Sequence, residues 1–139
     1  MLVLDASVAV SWCFRDQHTA YTRGVLEALV DGVAVVPALW LLEVANVTSL
    51  AERRGLLPAA DRTRYLQLLG GLRTRLDHAS AERIWGDVYE LATSHDLTIY
   101  DARYLELARR MQMPLASIDG ELVAAAQREG VPMFPAALG

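Results

Sequence analysis

Apolar residues along this chain fall into short runs separated by longer stretches in which they recur every three or four positions. The first run, LVL (Leu2–Leu4), is bounded by Asp5 and reads as a short buried strand. His18 to Val30 has helical spacing at Val25, Leu26, Leu29 and Val30. VAVVP (Val33–Pro37) is β-branched, follows Gly32 and ends at a proline, which predicts a second strand. Ala38 to Arg54 predicts a helix stopped by Gly55. Its middle, LWLLEVANV, is apolar nearly all round, so it should be buried on several sides or lie at an interface.

Pro58 and Asp61 open a further helical segment that ends or bends at Gly70 and Gly71. Ser80 has the chemistry of an N-cap for a helix reaching about Ser94. LTIYD (Leu97–Asp101) reads as a very short strand or extended turn leading into ARYLELARRM. PLASID (Pro114–Asp119) reads as a short strand, Glu121 to Glu129 as a helix stopped by Gly130, and VPMF as a last edge strand. Short apolar strands alternating with amphipathic helices predict an α/β fold, an open parallel sheet with helices on both faces. No repeat, low-complexity tract or linker interrupts the pattern, so residues 1–139 are expected to form a single domain.

Composition narrows the class without naming the chemistry. Apolar residues make up 53% and charged residues 22%, as in a soluble globular protein. The net charge of −4 argues against a protein that coats nucleic acid. All 13 basic residues are Arg, which suits carboxylate or phosphate partners but also follows from a genome rich in G and C. The lone Cys13 excludes an intramolecular disulfide and reads as packing, in keeping with a reducing cytoplasm. No stretch has the form of a secretory signal. The longest apolar stretch is broken by Pro37, Glu43 and Asn46, so no membrane span is expected.

The candidate chemistry lies in the acids. In open α/β sheets the functional crevice lies beyond the carboxyl ends of the strands. Asp5, Asp101 and Asp119 each follow an apolar word that reads as a strand, and Glu43 sits in the apolar helix after the second strand. Taken singly, each has a plainer reading. The aspartates could be helix caps, and Glu43 could lie on a solvated stripe. Taken together, four carboxylates in one crevice would repel each other and raise their pKa values unless a cation neutralised them. A set of oxygen ligands without His or Cys suits Mg²⁺ or Mn²⁺. Such ions activate water for attack on a phosphodiester. His18, His78 and His95 have no metal-ligand spacing, and there is no phosphate-binding GxxxxGK loop or GxSxG elbow. Ser7 could hydrogen-bond a carboxylate, hold a metal-bound water or cap the next helix.

These words, LDAS at Asp5, PALWLLEVANV around Glu43, LTIYDARYLELA around Asp101 and PLASID at Asp119, resemble the PIN-domain ribonucleases. More narrowly they resemble the toxin subunit of VapBC-type toxin–antitoxin pairs, over essentially the whole chain. The resemblance implies a PIN-like three-layer α/β/α fold and an Mg²⁺- or Mn²⁺-dependent endoribonuclease. It implies that Asp5, Asp101 and Asp119 ligate metal, with Glu43 as a further ligand or as the group orienting the attacking water. Ser7 and Asn46 match positions that support the site or orient substrate. Two departures are visible: NVTSL follows Glu43 where large apolar residues are usual, and Ser117 stands where Thr is common. The resemblance also implies an RNA substrate, a homodimer, a cognate antitoxin partner and higher-order toxin–antitoxin complexes. Arg53 and Arg54, with Arg62, Arg64, Arg73 and Arg75, form a basic stretch expected across two helices that could hold RNA phosphates or simply be solvated. Rival readings are a catalytically silent PIN-like protein-binding module and an Mg²⁺-dependent phosphatase-like domain. The phosphatase word DxD is DAS here, and a receiver-type site lacks its Lys.

Overall fold

The computed structural model of the chain describes residues 1–135. Its centre is a four-stranded parallel sheet: β1 (Leu2–Leu4), β2 (Ala34–Pro37), β3 (Thr74–Asp77) and β4 (Leu115–Ala116), in the order β3-β2-β1-β4. Leu2 pairs with Ala34 and Val3 with Val35, while Val3 and Leu4 pair with Leu115 and Ala116 on the other side. Every residue of β1, β2 and β4 is buried, as expected of strands covered on both faces.

The chain steps from β1 to β2 to β3 in one direction, then returns past β1 to place β4. Right-handed crossovers therefore put the connections before β3 on one face and those after it on the other. The first group comprises α1 (Ala6–Ser11), α2 (Ala20–Ala28), α3 (Leu39–Arg53) and α4 (Ala59–Gly71). The second comprises α5 (Ala81–Arg83), continued through a π-helical turn (Ile84–Val88) into α6 (Tyr89–His95), then α7 (Ile99–Met111) and α8 (Gly120–Arg128). The architecture is the predicted three-layer α/β/α. α7 lies directly against β1, β2 and β4. Its residues from Ala102 to Ala108 are all buried, Arg103 and Glu106 included.

Three expectations are corrected. TRLD forms a strand, β3, that the hydrophobic pattern did not announce. It is an edge strand, largely exposed, so it carries no apolar face to read. Arg73 and Arg75 consequently sit beside or within β3 rather than on a helix. LTIYD is not a strand: Thr98 caps α7 by accepting the backbone N–H of Asp101, and the helix starts at Ile99. VPMF contributes only an isolated bridge between Met133 and Leu115.

The apolar stretch around Glu43 divides. Trp40, Val44, Thr48 and Ala51 form the buried stripe of α3, while Leu41, Leu42 and Val47 are exposed. Gly55 and Gly130 stop their helices as expected, each at a positive φ (73° and 71°) that favours glycine. Among the described residues no helix is long and apolar enough to cross a membrane.

Candidate active site

The order β3-β2-β1-β4 makes the gap between β1 and β4 the point where strand order reverses, and ligands of open α/β sheets bind beyond the carboxyl ends of the strands there. Asp5 follows β1 directly, and Asp119 lies at the end of the turn after β4. Glu43 stands on α3, which leaves the carboxyl end of β2. Asp101 stands in the first turn of α7. Asp5 and Asp119 occupy the N-cap positions of α1 and α8. Helix N-termini favour negative charge by about 0.3–1 kcal/mol each, which offsets part of the repulsion among these acids.

Asp5 is 4% exposed. Ser7 Oγ donates to its Oδ2 at 2.6 Å and Ser117 Oγ donates to the same oxygen at 2.8 Å. Both hydroxyls also accept from the turn after β4: Ser7 from the Ile118 N–H at 3.2 Å and Ser117 from the Asp119 N–H at 3.0 Å. Two serines thus lace the β4–α8 turn onto the carboxylate at the end of β1. Asp119 Oδ1 accepts the backbone N–H groups of Glu121 (3.0 Å) and Leu122 (3.1 Å), the cap expected of a residue in that place. Glu43 Oε1 accepts from the buried Tyr104 hydroxyl at 2.7 Å.

Electrostatics link the acids. Burial pushes the Asp5 carboxyl up, opposed by the two serine hydrogen bonds and reinforced by the Asp119 charge. Burial also raises Glu43, with the charges of Asp5 and Asp101 adding to it against the Tyr104 hydrogen bond. Asp101 is pushed up to about 6, chiefly by burial and then by Asp119 and Asp5. The charges therefore feel one another across the strand ends. The side chains do not close into a ligand cage: among the described residues no three His, Cys, Asp or Glu groups are gathered to hold a metal ion as they lie. Charge acts over roughly a Debye length of 8–10 Å, well beyond ligation distance, so the two observations are compatible. All-oxygen donors that resist ionising side by side fit a hard divalent cation by their chemistry.

Other sequence-singled residues distribute differently. Asn46 is exposed on α3, three positions past Glu43, and makes no hydrogen bond to the acids among the described residues. Arg53 and Arg54 are exposed at the far end of α3, ~15 Å along the helix axis from Glu43 at 1.5 Å per residue. Arg62 pairs with Glu52 and Arg64 with Asp61. Trp12 and Trp40 belong to the core. Tyr104 escaped the sequence reading as a site residue. Its only local signal is that it lies one helical turn past Asp101, on the same face.

The PIN domain family model matches residues 2–128. Ribonuclease VapC3 of Pyrobaculum aerophilum is 34% identical over 122 residues, spanning 87% of this chain and 91% of that protein. Two solved structures share the fold. The crystal structure of PAE2754 from Pyrobaculum aerophilum has a TM-score of 0.66 at 22% identity, covering 89% of this chain and 78% of that one. FitAcB from Neisseria gonorrhoeae has a TM-score of 0.61 at 19% identity, covering 91% and 94%. With four carboxylates at the switch point of a parallel α/β/α sheet and a family model matched along most of its length, the chain belongs to the PIN domain family.

Proposed function

We propose that this chain is a metal-dependent endoribonuclease of the VapC type, which hydrolyses RNA phosphodiester bonds and is held silent by a cognate antitoxin. The observation that carries it is the placement of Asp5, Glu43, Asp101 and Asp119 at the switch point, with three of the four pushed up in pKa. Identity to a ribonuclease along most of the chain supports the RNA substrate.

Asp5, Asp101 and Asp119, with Glu43, would hold Mg²⁺ or Mn²⁺. When bound there, such an ion supplies Lewis-acid chemistry for attack of water on phosphorus. The protein's own groups do the rest. Ser7 and Ser117 fix Asp5 through one oxygen, and the cap of α8 fixes Asp119 through one oxygen. Tyr104 holds Glu43 through Oε1, which leaves Oε2 to face the ion. Asn46 sits one turn further along α3, placed to orient substrate. Arg53 and Arg54, exposed and without an ion-pair partner among the described residues, are suited to phosphates of the RNA flanking the cleaved bond.

Exposed apolar residues on α3 and on the α5–α6 and α7 segments, Leu41, Leu42, Trp85, Tyr89 and Tyr100, support protein partners. A second copy of the chain and the antitoxin are the proposed ones, acting in the cytoplasm. Incubating the purified chain with structured RNAs in Mg²⁺, Mn²⁺ or EDTA tests the reading, with p-nitrophenyl phosphate alongside. Internal RNA cleavage that needs the ion, with no phosphatase turnover, is the expected result. Intact RNA under every condition would favour the silent binding module, and turnover of the phosphate ester alone would favour the phosphatase.

A further inference from the structure

Tyr104 is fully buried at the centre of α7, and its hydroxyl reaches across to α3. Its hydroxyl donates to Glu43 Oε1 and also faces the backbone N–H of Ala6, and among the described residues the Glu43 carboxylate makes no other hydrogen bond. One oxygen of this carboxylate is therefore tied to the fold and the other is free. The same division recurs at the neighbouring acids. Asp5 takes both serine hydroxyls on Oδ2 and none on Oδ1. Asp119 takes both backbone N–H groups on Oδ1 and none on Oδ2.

Glu43 needs such a tether more than the aspartates do. Its side chain has one more rotatable bond, it is only partly buried, and Asp5 and Asp101 repel it. Left alone it would swing toward solvent, where water and distance from like charge both favour it. The donor's chemistry also matters. An Arg or Lys at this place would neutralise the carboxylate and compete with a cation for it. A buried tyrosine hydroxyl directs the carboxylate and leaves its charge available. A phenyl ring alone would fill the same core space, so packing does not account for the hydroxyl.

We infer that Tyr104 is a positioning residue: its hydroxyl anchors Glu43 through Oε1, so that Oε2 is presented to a divalent cation held with Asp5 and Asp101. The inference rests on the metal-dependent reading above and adds a residue to it. A single helix, α7, then supplies both an acid of the site and the group that orients the acid opposite.

Calorimetric titration with Mn²⁺, in the absence of RNA, tests it on the wild type, Tyr104→Phe, Glu43→Gln and the double variant, with thermal unfolding of each metal-free protein as the check on folding. Tyr104→Phe should bind Mn²⁺ about tenfold more weakly, the low end of the range for removing a group that orients a ligand. In the Glu43→Gln background the same change should alter affinity by less than about twofold, because the two effects are coupled. If Tyr104→Phe fails to fold, 4-fluorophenylalanine incorporated at position 104 carries the test. It fills the space of the hydroxyl without a donor, and should show the same roughly tenfold loss. Wild-type affinity in Tyr104→Phe with a lowered Tm, or an equal loss in both backgrounds, would show a purely structural hydroxyl and overturn the inference. So would undiminished affinity in the 4-fluorophenylalanine protein. A wild type that cuts RNA and binds Mn²⁺ while Tyr104→Phe matches it defeats this inference alone. A wild type that binds no Mn²⁺ defeats it together with the metal-dependent reading.

Discussion

Asp101 sets the pH behaviour that most sharply separates this site from an ordinary surface. Its carboxyl titrates at about 6 in the folded protein against 3.8 for a free aspartate, first because of burial and then because of Asp119 and Asp5. Between those values the folded state holds more protons than the unfolded one, so stability falls as pH rises through the window. The loss is complete above about 6 and absent below the ordinary value. Asp101→Asn mimics the protonated group. Without metal it should gain stability over the wild type on going from pH 4 to pH 7, read as a widening gap between urea midpoints. A gap that stays constant would contradict the coupling. At this scale the sequence was legible where an acid closes an apolar word, as at Asp5 and Asp119, or interrupts an apolar helix, as at Glu43. It was not legible where a partner lies far along the chain: Ser117 meets Asp5 across 112 positions and Tyr104 meets Glu43 across 61. No local pattern marks such pairs.

Among the elements, β3 and α7 explain each other. β3 is an exposed, charged edge strand whose alternation carries no hydrophobic face, which is why its pattern did not read as a strand. What fixes its end is ionic. The Arg103 guanidinium donates to both the backbone carbonyl and the carboxylate of Asp77, each at 2.9 Å, and faces Glu106 at 3.4 Å. Arg110 joins Asp77 and Glu106 from further along α7, and Arg83 approaches Glu106 from α5. Burial alone would raise the Asp77 carboxyl, but Arg110 and Arg103 hold it below the usual range. Buried charge pairs add little compared with apolar packing, yet breaking one strands its partner. Arg103→Leu should therefore destabilise the fold by about 3 kcal/mol, the low end for such losses because Arg110 still serves both acids. Chemical denaturation measures this, and a loss near zero would mean the network does not hold β3 to α7. The helices themselves were readable from caps and period, with Ser80 and Gly130 in the expected roles. LTIYD, expected as a very short strand or an extended turn leading into a helix, is the helix start itself, because Thr98 caps α7 in a segment whose β-branched residues suggest otherwise.

The whole molecule carries a net charge of −4 and is read as acting on a polyanion. That requires the favourable charge to be local rather than global. Arg53 and Arg54 are well removed from the acids, so they can bind phosphates without entering the chemistry. Replacing both with Ala should raise the KM for RNA, leave Mn²⁺ affinity unchanged and lower the salt slope of binding by about one for each phosphate no longer neutralised. An unchanged slope would place the RNA on another face. The parallel order β3-β2-β1-β4 gathers acids that are far apart in the chain at the carboxyl end of the sheet, and the central claim is that this gathering is the cleavage site. Asp5→Asn tests it most directly, because Asn keeps the shape of the group while removing its charge. Single-turnover cleavage of an end-labelled structured RNA in Mn²⁺ should fall by at least about a hundredfold, or ~2.7 kcal/mol of barrier at 1.36 kcal/mol per decade, with the metal-free fold intact by circular dichroism. Cleavage by the folded variant at the wild-type rate would contradict the account.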